Sequence, residues 1–346
     1  MKVIDKKDFE SFVDHLIEEH EKEIVGVQEK GKDKFAFQEL HKAEDLRLDY
    51  DVTSLPPKKY FMPQRETLVK YKTEEELSMS PVNEVTPRII IGIHPYDLVS
   101  IKQMDKIFED THEDQNYLWK RKEAVLIGVN MKNVSEWSFA ASMGTATIDH
   151  GYDLMLTDIG DQYAVEIGST KGSDLMDKKP DLFEDATPEE IEKYEEEMSQ
   201  IEDKFEKSID FSVHELPYLL AEAYYNEEFW EDHSEDCLSC GTCNLVCPTC
   251  YCFDVQDIND VGGDEGERLR QWDGCMLQAF ARVAGGENFR EEKAGRYRHR
   301  YMRKGRYIYD KYGDIACVGC GRCSSQCLPD IADPSSIYND LKEMIE

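Results

Sequence analysis

The stretch Cys237-Leu238-Ser239-Cys240-Gly241-Thr242-Cys243-Asn244-Leu245-Val246-Cys247-Pro248 decides how this chain is read. Its spacing returns as Cys317-Val318-Gly319-Cys320-Gly321-Arg322-Cys323-Ser324-Ser325-Gln326-Cys327, with Leu328 placed before Pro329. Two-residue gaps let three thiolates from one tight loop reach three corners of a cubane iron–sulfur cluster, and the fourth thiolate comes from further along the chain. In two-cluster ferredoxins the last cysteine of each run serves the other cluster. On that pattern one [4Fe–4S] cluster takes Cys237, Cys240, Cys243 and Cys327, and the other takes Cys317, Cys320, Cys323 and Cys247. A pair of structural zinc knuckles is the alternative, since C-x₂-C pairs also hold zinc. Four zinc ligands have no use for a third cysteine at this spacing with a further cysteine and proline behind it, and here the arrangement occurs twice.

Three cysteines are left over: Cys250, Cys252 and Cys275. Free cysteine packs well as a small buried group, so they can be wall residues beside the clusters. The other reading is a third metal site, such as a third iron–sulfur cluster. It would need Asp254, Asp273, His233 or a partner chain to complete it, or a three-iron cluster that needs no fourth ligand.

The first 236 residues contain no cysteine, so a thiol-free front precedes a metal-binding back. Eleven cysteines behind an opening MKVIDKKDFESF, which has no apolar signal core, point to a reducing, cytoplasmic setting and not to a disulfide framework. No stretch approaches the roughly 20 apolar residues of a membrane-spanning helix. The net charge of −32 disfavours nucleic acid, whose phosphates need a basic footprint. Such acidity suits a salty cytoplasm or a strongly solvated surface. Residues 290–311 run against it, with nine Lys or Arg and three carboxylates. Their arginines either neutralise nearby cluster charge or form a docking stripe for an acidic partner, with Tyr297, Tyr301, Tyr307 and Tyr309 as contacts.

Along the chain, Phe9, Phe12, Val13, Leu16 and Ile17 recur at helical spacing. IVGVQEK and KFAFQEL read as a hairpin, and the prolines of LPPKKYFMPQRE demand an irregular segment. RIIIGI and AVLIGVN are buried-strand runs with a helix between them, and YDLMLTDIG and QYAVEIGS form a second hairpin. Thr187-Pro188-Glu189-Glu190 caps an acidic helix. Between Cys247 and Cys317, the intervals among Trp272, Leu277, Phe280 and Val283 predict a helical spacer. The expected fold is therefore α+β. Residues 1–170 form an N-terminal mixed α/β scaffold that docks partners, 171–230 an acidic helical connector, and 231–346 a helical two-cluster ferredoxin-like domain.

The stretches LPPKKYFMPQRE, GIHPYDLVSIKQMDKIF, GYDLMLTDIGDQYAVEIGS, CPTCYCFDV, QWDGCM and the run from Arg296 to CVGCGRC give the chain a global resemblance. It resembles the beta subunits of cytoplasmic sulfhydrogenase and the A subunits of anaerobic sulfite reductase. That resemblance implies an anaerobic, hydrogenase-related electron-transfer subunit that works with a flavin- or NAD(P)-binding subunit and with a catalytic redox subunit of hydrogenase, heterodisulfide reductase or sulfite reductase type. Related patterns often place cysteine where this chain has Tyr96, and others near Met131 to Ala140. Any metal held by those thiols in relatives is lost here.

No catalytic residues are expected. Glycine-rich nucleotide loops, nucleophile elbows and paired-histidine metal motifs are all missing from the sequence. The alternative is a redox enzyme whose front domain itself binds flavin or substrate. A third option, an iron–sulfur regulator that binds nucleic acid, conflicts with the acidity.

Overall fold

The computed structural model describes residues 1–19, 21–73 and 77–345. β1 (Lys2–Asp5) leads into α1 (Lys6–Glu19), whose Phe9, Phe12, Val13 and Leu16 are buried as their spacing predicts. β2 (Glu23–Glu29) and β3 (Phe35–Glu39) form the expected antiparallel hairpin. Residues 55–66 are irregular apart from a 3₁₀ turn at Pro57–Tyr60, and they feed β4 (Arg65–Lys72), which pairs with β5 (Ser78–Pro81).

β6 (Arg88–Ile93), α2 (Pro95–Glu109), α3 (Gln115–Glu123) and β7 (Ala124–Val129) make a parallel crossover. β8 (Leu154–Asp158) and β9 (Gln162–Ile167) are the second hairpin. Next come α4 (Thr170–Met176), β10 (Glu184–Asp185) and α5 (Pro188–Ser199), the last opened by the predicted Thr187–Glu190 capping box. Eight strands assemble in the order β10-β1-β9-β8-β7-β6-β2-β3. β2, β6, β7 and β8 are parallel at the centre, and every residue of β7 is buried. Strands covered on both faces read as continuous apolar runs, which is why this sheet is visible in the sequence.

The back of the chain begins with α6 (Leu216–Glu222), α7 (Glu227–Ser234) and the single turn α8 (Thr242–Leu245). The spacer that follows differs from the helical expectation. Residues 253–272 form a hairpin of β11 (Phe253–Asn259) and β12 (Glu265–Trp272) around Gly262 and Gly263, and β12 pairs with β4 in a four-stranded sheet, β11-β12-β4-β5. Trp272 ends a strand, and residues 277–283 are turns. Trp272 packs against the front core and Phe280 against the second core, while Val283 is exposed. Helical structure resumes with α9 (Lys293–Met302), a π-helical turn at Arg303–Tyr307, α10 (Ile308–Tyr312), the single turn α11 (Arg322–Ser325) and α12 (Pro334–Ile345). α6, α7, α9 and α12 enclose a second core around Trp230, Tyr297, Tyr301 and Tyr338. The shared sheet ties this helical back to the front.

Candidate metal centre

The two cysteine runs fold alike. Ser239 and Gly319 take positive φ (52° and 65°), Gly241 and Gly321 do the same (both 76°), and a one-turn helix follows each. The fourth cysteines also match: the amide of Cys247 donates to Asn244 O (3.3 Å) and that of Cys327 to Ser324 O (3.1 Å). One turn further, Cys250 N–H donates to Cys247 O and Asp330 N–H to Cys327 O. Leu328 therefore takes the place of Pro248 without disturbing the turn. Gly319 has a second reason to lack a side chain, since a Cβ there would sit 2.8 Å from the backbone of Ala140.

Cys247 of the first run reaches the second loop. It lines one cavity with Cys317, Cys320 and Cys323, together with Phe139, Arg300, Lys304 and Tyr338. Around that cavity the Tyr338 hydroxyl and the Nε and Nη1 of Arg300 make no hydrogen bond of good geometry, and these side chains lie against the sulfurs of Cys317 and Cys323 respectively. Four convergent thiols ringed by unsatisfied donors fit an anionic, sulfide-rich cluster, which would accept those hydrogen bonds. On the other side, Cys237 and Cys243 belong to the same apolar core as Ile331, a few residues past Cys327. The Tyr297 hydroxyl donates to Ile331 O (2.5 Å) and so anchors that segment beside the first run.

Electrostatics divide the thiols. Burial pushes Cys317, Cys320 and Cys243 up to about 12, whereas hydrogen bonding by the Thr242 side chain and backbone lowers exposed Cys240. The hydrogen bond from Cys250 holds Cys247 well below its usual range. Burial lowers Lys58 to about 8 against the pull of Cys250 and Cys247. At Lys304 burial also opposes the charge, but the sulfurs of Cys247 and Cys250 outweigh it and the pKa rises. Thiolate ligands gain from such cationic neighbours.

The front domain grips the second loop. Arg322, inside that loop, makes a fully buried bidentate pair with Asp97 of α2 (2.6 Å to each oxygen) and donates to Thr53 O and Oγ1. Ser138 Oγ and Phe139 N–H donate to Gly319 O, and Thr145 Oγ1 donates to Val318 O. Lys58 Nζ donates to the carbonyls of Cys247 and Cys250, both at 2.7 Å, under the ring of Trp272. None of these contacts has a spacing signature. Their trace in the sequence is that Lys58, Asp97 and Arg322 fall in the stretches that carry the resemblance.

The profile of the 4Fe-4S dicluster domain matches residues 236–331. Sulfhydrogenase 2 subunit beta of Pyrococcus furiosus is 33% identical over 309 residues, which is 89% of this chain and 89% of that relative. The chain belongs to the sulfhydrogenase beta-subunit family. Two [4Fe–4S] clusters are its cofactors, and none of its described helices is long and apolar enough to cross a membrane.

In this family member, two of the three cysteines outside the runs, Cys250 and Cys275, meet at one amide. Asn244 Nδ2 donates to the sulfurs of Cys250 (3.7 Å) and Cys275 (3.5 Å). His233 is engaged elsewhere, by Phe229 O and Asp340. Asp273 Oδ1 accepts from the amide of Gly274 and Asp254 Oδ2 from Gln256. Among the described residues, no three His, Cys, Asp or Glu side chains converge as a single-ion site requires. Tyr96, Met131 and Ala140 pack into one apolar cluster with Val318 and Cys320.

The basic segment departs from the docking expectation. Arg296, Arg300 and Lys304 are buried, and so are Tyr297 and Tyr301, at 1% and 0% exposure, which removes both tyrosines as partner contacts. Arg298 and Arg306 bond to the carbonyls of Tyr224 and Pro217. Three of this segment's nine cations are turned inward because α9 and the turn after it pack over the cysteine loops.

Proposed function

We propose that this chain is the iron–sulfur relay of a cytoplasmic, hydrogenase-type complex, passing single electrons between a flavin- or NAD(P)-binding subunit and a catalytic subunit of hydrogenase, heterodisulfide reductase or sulfite reductase type. The cavity that joins Cys247 to Cys317, Cys320 and Cys323 carries the proposal, because it brings the last cysteine of the first run to the three of the second loop. It supports the crossed ligand sets: Cys237, Cys240, Cys243 and Cys327 for the first cluster, and Cys317, Cys320, Cys323 and Cys247 for the second. Bound there, each [4Fe–4S] cluster supplies one-electron oxidation and reduction.

The chain's own side chains do the rest. The loops present thiolates, the Arg322–Asp97 clasp fixes the second loop, and the buried cations lower the cost of added negative charge. Cys250, Cys252 and Cys275 serve as wall residues beside the clusters, in keeping with the Asn244 amide that stands between the sulfurs of Cys250 and Cys275. Neither an acid nor a base is required.

The intact complex, held anaerobically, tests the relay. Addition of hydrogen or NAD(P)H should bring up reduced-cluster EPR signals from this subunit within the turnover time. A purified single chain that holds flavin and performs the reduction alone would overturn the relay and make the front domain an enzyme.

A further inference from the structure

Arg296, Arg300 and Lys304 stand four residues apart on α9 and its π-helical continuation. Four-residue steps bring side chains one above another along a helix, so the three cations form a ladder, and all are buried. Its ends face different sites, since Lys304, unlike Arg296, lines the cavity of Cys317, Cys320 and Cys323. Arg296 Nη2 donates to Ser239 Oγ (2.8 Å), within the first cysteine run. Lys304 Nζ donates to Thr249 Oγ1 (2.7 Å) beside Cys247.

Arg300 is the middle rung, 3% exposed. The sulfurs whose charge it feels are Cys243 of the first run and Cys323 and Cys247 at the second loop. Its Nε and Nη1 make no hydrogen bond of good geometry. A buried guanidinium with unmet N–H groups is costly unless an acceptor meets it. No carboxylate lines the cavity it faces, and the other lining side chains are thiols, apolar groups, Lys304 and Tyr338.

We infer that Arg300 is a cation shared by the two clusters, donating charge-assisted hydrogen bonds toward both and so tying their reduction potentials together. This rests on the presence of two clusters but not on the crossing of ligands, because Cys243 and Cys323 each belong to their own run under either assignment. A cation beside a cluster favours the reduced, more negative form and raises its potential. Arg300 therefore raises both potentials, whereas Lys304, in the cavity with Cys317, Cys320 and Cys323, raises that cluster's alone.

Potentiometric EPR of the complex carrying Arg300→Met, Lys304→Met or Arg298→Met tests this, with iron and sulfide counted in each. At fixed potential, Arg300→Met should lower the reduced-to-oxidised ratio of both clusters by about tenfold, equivalent to 59 mV per electron. Lys304→Met should move only the cluster held by Cys317, Cys320 and Cys323. Arg298→Met, on a side chain turned to Tyr224, should move neither. If Arg300→Met does not load, Arg300→Lys decides: a smaller drop in both clusters supports the inference, and a drop in one or none refutes it. With full loading, unmoved potentials or a shift of one cluster in Arg300→Met also refute it. An iron count near four in the wild type would break the two-cluster reading instead.

Discussion

The two cysteine loops have one backbone and opposite surroundings. In the first, Cys240 is exposed and Leu238 stands 62% open, with Asn244 and Arg296 as its main supports. In the second, Cys320 is 7% exposed, three carbonyl contacts come from the front domain, and Arg322 is locked onto Asp97. The same ligand geometry is thus built once as a surface feature and once as an interior one. On the proposed relay, the exposed first site exchanges electrons with a partner and the enclosed second site lies in the body of the subunit. It also accounts for the acidic front domain's contribution: much of what it supplies to the metal centre is the clasp.

Breaking the clasp should have the largest effect. Asp97→Ala leaves Arg322 buried and unpaired, at a cost of about 3–5 kcal/mol. Thermal unfolding should fall accordingly, with the second cluster lost first. If the variant keeps wild-type stability and iron, the inward loop is not held as described.

At the outward site, Leu238→Glu places a charge on an exposed apolar rim. Stability should stay within about 0.5 kcal/mol, as for other surface changes, while co-purification of partner subunits weakens. An unchanged complex would move the exchange surface elsewhere. A smaller effect is expected for Cys275→Ala, which removes a hydrogen-bonded wall thiol: about 1 kcal/mol of stability and no change in iron per chain. Iron lost from that variant would revive the third metal site.

What the sequence made legible follows from where information is local. The cysteine runs are read from spacing because a cubane needs its thiolates at fixed intervals, and the central strands from unbroken apolar runs such as Ala124–Val129. The hairpin at residues 253–272 was missed because its exposed strands carry polar residues on both faces, and its pairing partner β4 lies far back in the chain. The clasp is equally invisible, since Asp97 and Arg322 meet only through the tertiary fold. Segment 290–311 announced its charge plainly. Which of Arg296, Arg298 and Arg300 turns inward depends on how α9 lies over the loops, and composition cannot report that.

Crossed ligation is the central claim, and serine variants compared by EPR and iron content test it most directly. Cys240→Ser and Cys320→Ser first label the signals of the outward and inward clusters. Cys247→Ser should then abolish the signal that Cys320→Ser abolishes, leaving the outward cluster and about four irons per chain. Loss of the signal that belongs to Cys240 instead would show that each run holds its own cluster, and the account of the shared cavity would fall with it.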